Sequence, residues 1–422
     1  MKADSSLLCQ APELMPFESQ TASFHPPRLF NRRNFLRGAA AGAAAAFLPS
    51  TVVSAAPAGL VRIEEPFHGA ILSHQHGKIV DGGLAIRITG TAPASNQVTV
   101  NGLPAQQDGN QFLAEVVLRQ KVTEIVAASG LPSAGGESRV RVVWDRNSQP
   151  RYHFALDDNI YFLRDIARKR YNSLFNSPYL KLLRDLNHKY GTRFSVNIYF
   201  ESEDGFKLTE LSDRYKSQWK DNAHWLKLAF HACANKPDRP YQDAPAEKLI
   251  ADYDQVAEQI QRFAGAGTFA PPTNLHWSMA RPDGLHALAR RGVRCLSGYF
   301  RKADGRWDIN YGLDDRRSEY LSRHDLLMDF ETGIIFFRDA IVCNATALDQ
   351  IAPVLDPLAA SPERQETINL LSHEQYFWPF YPDYEPDYAQ RIEAAIRWTT
   401  DHGYTPSFFH EGILGSPERG YG

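Results

Sequence analysis

From Arg151 onward, short apolar runs alternate with helical stretches, and this rhythm is what most constrains the fold. Tyr152–Leu156 leads into Asp157-Asp158, Phe194–Phe200 into Glu201, and Leu226–Phe230 into His231. Asn274-Leu275 leads into His276, Ile334–Phe337 into Arg338-Asp339, Ile368–Leu371 into His373-Glu374, and Phe408-Phe409 into His410-Glu411. Val293–Leu296 ends more quietly, at Ser297 and Tyr299. Between the runs, residues 244–264 carry one apolar stripe of Leu249, Ile250, Tyr253, Val256, Ile260 and Phe263, with Asp243 as cap and Pro245 in the first turn. Residues 386–402 repeat the style, with Pro386 near the start and Gly403 after the end. The alternation predicts an α/β fold, a distorted barrel of seven or eight βα units over residues 148–422. In such barrels the C-terminal ends of the strands converge on one mouth, where the chemistry sits. Seven of eight runs ending on His, Asp or Glu is more than a plain scaffold requires.

Residues 57–147 read differently. Leu84–Thr89 and Val98–Val100 alternate with period two, Asn101-Gly102 is a tight-turn signal, and Val122–Ala127 and Val140–Val143 add short strands. This predicts a small all-β sandwich that packs on the next domain or binds glycan. His74 and His76, at i and i+2, can share a metal on a strand face, but no third ligand is near in sequence, so an exposed loop is expected.

The start of the chain is an address. Asn31-Arg32-Arg33-Asn34-Phe35-Leu36-Arg37 precedes the eleven apolar residues Gly38–Leu48, and Ser54-Ala55-Ala56 offers a cleavage site. As a helix that run spans about 16 Å, half a bilayer core. The pattern resembles bacterial twin-arginine signals, which are read by a receptor. Residues 1–56 are therefore expected to be leader, and the mature protein periplasmic or secreted. Removing them from 422 residues leaves 366, and the leader's five Lys/Arg and three Asp/Glu take the net charge from −3 to −5. That balance leaves no basic block for nucleic acid, and no later stretch is long and apolar enough to span a membrane. Cys233, Cys295 and Cys343 contain no CxxC and imply no disulfide framework.

Adjacent carboxylates at a strand tip, Asp157 and Asp158, point in different directions, so one can face a metal and the other a water. His231, His276 and His373 occupy matching run ends. Imidazoles with one carboxylate suit a divalent ion such as zinc. Tyr376, Trp378 and Tyr381, with Trp277 and Asp339, are candidate sugar contacts, since aromatics with a polar tip stack on sugar rings.

Phe154-Ala-Leu-Asp157-Asp158, His231-Ala-Cys-Ala-Asn235 and Ile368-Asn-Leu-Leu-Ser-His373 resemble three motifs of the polysaccharide deacetylase family. That resemblance implies a distorted (β/α) barrel and metal-dependent N-deacetylation of an amino-sugar polymer. It implies Asp157 as base, Asp158 and His231 as metal ligands, and His373 as acid. Two departures stand out: Asn235 replaces the family's second histidine, and Ala270–Trp277 replaces its arginine-and-proline segment. His276 is the expected substitute ligand. Two other readings fit the residues: a metal-independent glycoside hydrolase or polysaccharide lyase pairing Asp157 or Asp158 with Glu374 or Glu201, and a non-catalytic glycan-binding envelope protein.

Overall fold

The computed structural model describes residues 60–94, 97–129, 136–411 and 414. The expected leader, 1–56, and its cleavage site lie outside them.

Between Arg62 and Trp144 the chain forms two five-stranded sheets. The first pairs Arg62–Glu65, Lys78–Val80, Gly83–Thr91, Gln106–Asp108 and Gln111–Leu118 in antiparallel ladders. The second runs through Glu137–Trp144, Val122–Ser129, Val98–Val100 and Leu103–Pro104, with Ile71–Leu72 parallel at its edge. Asn101 and Gly102 both have positive φ, 49° and 80°, the conformation a two-residue hairpin needs to match strand twist. Leu84, Ile86 and Ile88 of the first sheet and Ile125, Ala127, Val140 and Val142 of the second enter one buried core. His74 and His76 sit in a turn between strands, His74 exposed and His76 half-buried. There His76 Nδ1 accepts the Ser73 N–H at 3.0 Å.

The rest is mixed α/β. Leu226–Ala232, Phe194–Tyr199, Arg151–Asn159, Thr367–His373 and Ile341–Val342 run parallel in that order, with Thr405–Pro406 also beside Arg151. All nine residues of Arg151–Asn159 are buried, as a parallel strand covered on both faces requires. Cys295–Gly298 lies parallel to Ile334–Arg338, which pairs antiparallel with Leu326–Asp329. Backbone hydrogen bonds bridge the gaps. Ala270 donates to Leu228 O at 2.9 Å, Ser297 to Thr273 O at 2.6 Å, Asp339 to Gly298 O at 3.0 Å, and Ala340 to Asn369 O at 2.9 Å.

The helix Ala246–Phe263 buries Leu249, Tyr253, Val256, Ile260 and Phe263, the expected stripe. Its N-cap is Pro245, with no side-chain cap, so Asp243 does not play that part. The helix Tyr388–Asp401 is followed by Gly403 at φ 80°. Two expected strands are absent from their places. Leu275 leads into a 3-10 turn at His276–Ser278, and Phe408-Phe409 lies in a turn beyond Thr405–Pro406. Asn274-Leu275 holds one apolar residue and Phe408-Phe409 two, little to drive a strand of their own. Cys233, Cys295 and Cys343 are free thiols.

Candidate metal centre

Two β-bulges build the centre. Leu156 pairs with Val196 and Asn159 with Ile198, so one strand spends three steps against its neighbour's two. The surplus falls at Asp157-Asp158, and Asp158 takes φ +58°, in the left-handed region. On the next strand Phe230 and Ala232 face Ile198 and Tyr199, which leaves His231 as the extra residue. Bulges break strict alternation and re-aim side chains, here letting neighbouring residues serve one site.

Asp158 Oδ1 is the hub. It lies 3.1 Å from His231 Nε2 and 3.3 Å from His276 Nδ1, and it accepts the Tyr199 hydroxyl. One ligand atom each from Asp158, His231 and His276 falls within 4.8 Å of the others, and all three residues are buried. Four donors bonded at 2.0–2.1 Å around a tetrahedral ion stand about 3.3 Å apart, so these separations suit such an ion. His276 Nε2 donates to the backbone carbonyl of Asn235 at 3.0 Å. In a neutral ring that leaves the Nδ1 lone pair facing a carboxylate oxygen, two acceptors that repel unless a cation or proton lies between them. Burial pushes the Asp158 carboxyl up, but His231 and, when a proton instead of an ion sits on its Nδ1, His276 outweigh it and hold the acid well below its ordinary range. Burial alone lowers His231, yet the charges of Asp157 and Asp158 raise it overall.

Beside this cluster, Asp157 is 2 % exposed and its two oxygens are held by neutral amides. Asn197 Nδ2 donates to Oδ1 at 2.7 Å and Asn274 Nδ2 to Oδ2 at 2.5 Å. Asn274 belongs to the Ala270–Trp277 segment that departs from the deacetylase pattern. His373 is paired in register with Asp157 on the adjacent strand. Its Nδ1 donates to Asn344 Oδ1 at 3.0 Å, which leaves Nε2 as the nitrogen free to exchange a proton.

Four expected site residues stand elsewhere. Glu374 is fully buried and accepts from the N–H groups of Ile160, Tyr161 and Phe162 at 2.7, 3.0 and 2.5 Å, and from Trp378 Nε1 at 2.7 Å. It therefore caps the helix Tyr161–Lys169, where a carboxylate meets the positive end of the dipole, instead of acting as a catalytic group. Burial pushes its pKa up to about 7 against those four donors. Trp378 is 7 % exposed and its indole N–H is spent on Glu374, so it supports the cap and is not a sugar platform. Asp339, 2 % exposed, accepts from Asn369 Nδ2 at 2.6 Å, and is raised first by burial and then by the charge of Asp157. It is an interior carboxyl beneath the site, not a surface contact. Trp277 is half-buried under the Arg239 guanidinium, 4.8 Å from its ring centre. Tyr376 and Tyr381 stay half-buried, edge to face at 5.3 Å, and a small cleft lined by Asp158, Tyr161, Tyr199, Glu201, Glu203, Asn235 and Gln375 opens at the cluster.

Fold and site thus define an α/β protein with a buried Asp-His-His cluster whose ligand atoms lie close enough together to hold an ion. Residues 29–49 match the model of the twin-arginine translocation pathway signal sequence, so the chain carries a signal for export across the membrane. No helix among the described residues is long and apolar enough to cross one. No curated protein matches the chain. Among solved structures it is similar to a CE4 family pseudoenzyme from Bacillus anthracis at 8 % identity and TM-score 0.33, over 65 % of this chain and 68 % of that one. It is also similar to a peptidoglycan N-acetylglucosamine deacetylase at 9 % identity and TM-score 0.34, over 65 % and 92 %. A third is a 4-alpha-glucanotransferase from Thermococcus litoralis at 10 % identity and TM-score 0.40, over 65 % and 43 %. These likenesses are distant.

Proposed function

We propose that the mature protein is a periplasmic or secreted metal-dependent hydrolase that removes N-acetyl groups from an amino-sugar polysaccharide. The observation that carries this reading is the convergence of Asp158, His231 and His276 beside a second, amide-held carboxylate, Asp157. Asp158, His231 and His276 would hold a divalent ion, zinc by donor type, and a bound ion supplies a Lewis acid for the amide carbonyl. Asp157 accepts the proton of the attacking water, with Asn197 and Asn274 fixing its oxygens. His373 gives its Nε2 proton to the departing nitrogen as the C–N bond breaks. Amide and water become amine and acetate.

Tyr376, Tyr381 and Trp277 are the sugar contacts in this reading. The chain of backbone hydrogen bonds from Leu228 through Ala270, Thr273, Ser297, Gly298 and Asp339–Ala340 to Asn369 supports a distorted barrel over 148–422. The two sheets of residues 62–144 support a small sandwich ahead of it.

Acetate release from an N-acetylated glucosamine polymer tests the reaction. Wild type should release it, and Asp157→Asn or chelator should abolish the release. Full activity in chelator would contradict metal dependence, and binding of the polymer without turnover would favour a glycan-binding protein.

A further inference from the structure

Tyr199 ends the strand Phe194–Tyr199, two residues after Asn197. The period of two puts both on one face, where Asn197 reaches Asp157 and Tyr199 reaches Asp158. The phenol is 1 % exposed and its ring packs at 5.3 Å against both His231 and His276. Its oxygen lies 3.0 Å from His276 Nδ1 and 3.3 Å from Asn235 Oδ1, as well as against Asp158 Oδ1. Two of these neighbours are fixed as acceptors. His276 spends its N–H on the Asn235 carbonyl, and Asn235 Nδ2 donates to Glu203 Oε1 at 2.8 Å, which turns Oδ1 toward the phenol. With the Asp158 carboxylate that makes three acceptors around a group with one proton. A hydrogen-bonding tyrosine satisfies one of them; a cation shared by the phenol oxygen, the carboxylate and the imidazole satisfies the set.

We infer that Tyr199 is a fourth donor of the metal centre. This rests on the metal reading above and extends it. The position in sequence where the deacetylase pattern has a second histidine is filled by Asn235, whose backbone orients His276. One further coordination position goes to an oxygen from the neighbouring strand, and the Lewis-acid role proposed above needs an open position beside it. The donor set becomes two imidazoles, one carboxylate and one phenol oxygen, harder than an all-histidine site and accepting of Fe(III) and Cu(II) as well as Zn(II). On coordination an oxygen–metal bond forms and the phenol proton passes to the buffer.

The test uses the mature protein stripped of metal, titrated with Zn(II) against a chromophoric chelator, beside the Y199F variant. Y199F should bind Zn(II) about tenfold more weakly or worse. Wild type loaded with Fe(III) or Cu(II) should show a phenolate-to-metal absorption band in the visible, absent from Y199F. Equal or tighter Zn(II) binding by folded Y199F would overturn the assignment, as would a loaded wild type without the band. Should Y199F not fold, the wild-type spectrum decides alone. Failure of wild type to bind any ion contradicts the metal reading itself, a different outcome from a bound ion that ignores Tyr199.

Discussion

His276 Nε2 donates to the main-chain carbonyl of Asn235 at 3.0 Å, and that bond turns Nδ1 toward Asp158, 3.3 Å away. Metal-ligating histidines commonly spend their second nitrogen this way, because the bond sets both tautomer and ring orientation. Asn235 thus serves the centre through its backbone.

A contrast between two alanine variants follows. Asn235→Ala keeps the carbonyl and should hold metal within a few-fold of wild type, whereas His276→Ala removes a ligand and should weaken binding about tenfold or more. Competition titration with a chelator measures both. Equal loss in the two variants would place the side chain of Asn235 in the coordination sphere.

The metal-free protein should have a characteristic pH window. Asp158 is held below its unfolded value of 3.8, so its contribution is present above that pH and is lost as pH falls through the folded pKa. His231 is raised above its unfolded value of 6.5, so its contribution is full below 6.5 and fades as pH rises through the folded pKa. Thermal melts of apoprotein should peak between those values and decline above 6.5. Zinc should reverse the decline, because the ion replaces the proton. Apoprotein stability that climbs from pH 6.5 to 8 would contradict the pairing.

Glu374→Gln should destabilise the fold without touching the ion. The amide keeps one oxygen and turns an NH2 toward buried N–H groups, a loss of about 2–4 kcal/mol. Denaturant unfolding measures the loss, and zinc affinity of the folded fraction should match wild type. Unchanged stability with lost metal would return Glu374 to the site.

Export should depend on Arg32 and Arg33. Lysine at both positions should leave the precursor, with residues 1–56 attached, inside the cell, as fractionation and immunoblotting would show. Normal export of that variant would argue that another route carries the protein.

How much of this was legible in the sequence depends on what each residue needs to be understood. Asp157, Asp158, His231 and His373 follow apolar runs of strand length, and the structure places all four at strand ends. His276 was named from the same pattern, yet its run is a 3-10 turn, so the residue was found through a strand that does not exist. Glu374 shows the limit of run ends: its neighbour His373 stays paired beside Asp157, while the next residue turns to a helix N-terminus 214 positions back in the chain. Trp378 followed it, because an indole N–H four residues on was free in sequence and spent in the fold. Tyr199, Asn197 and Asn274 were missed. The available signal was polar residues at alternate positions of one strand, Ser195, Asn197 and Tyr199 in Phe194–Tyr199. What they contact depends on two bulges that no local pattern announces.

The metal content of the mature protein tests the central claim most directly. Elemental analysis of folded wild type should find one divalent ion per chain, zinc foremost, and His231→Ala should have lost it. Wild type that stays metal-free when folded in the presence of zinc, or His231→Ala that retains its ion, would contradict the centre built from Asp158, His231 and His276.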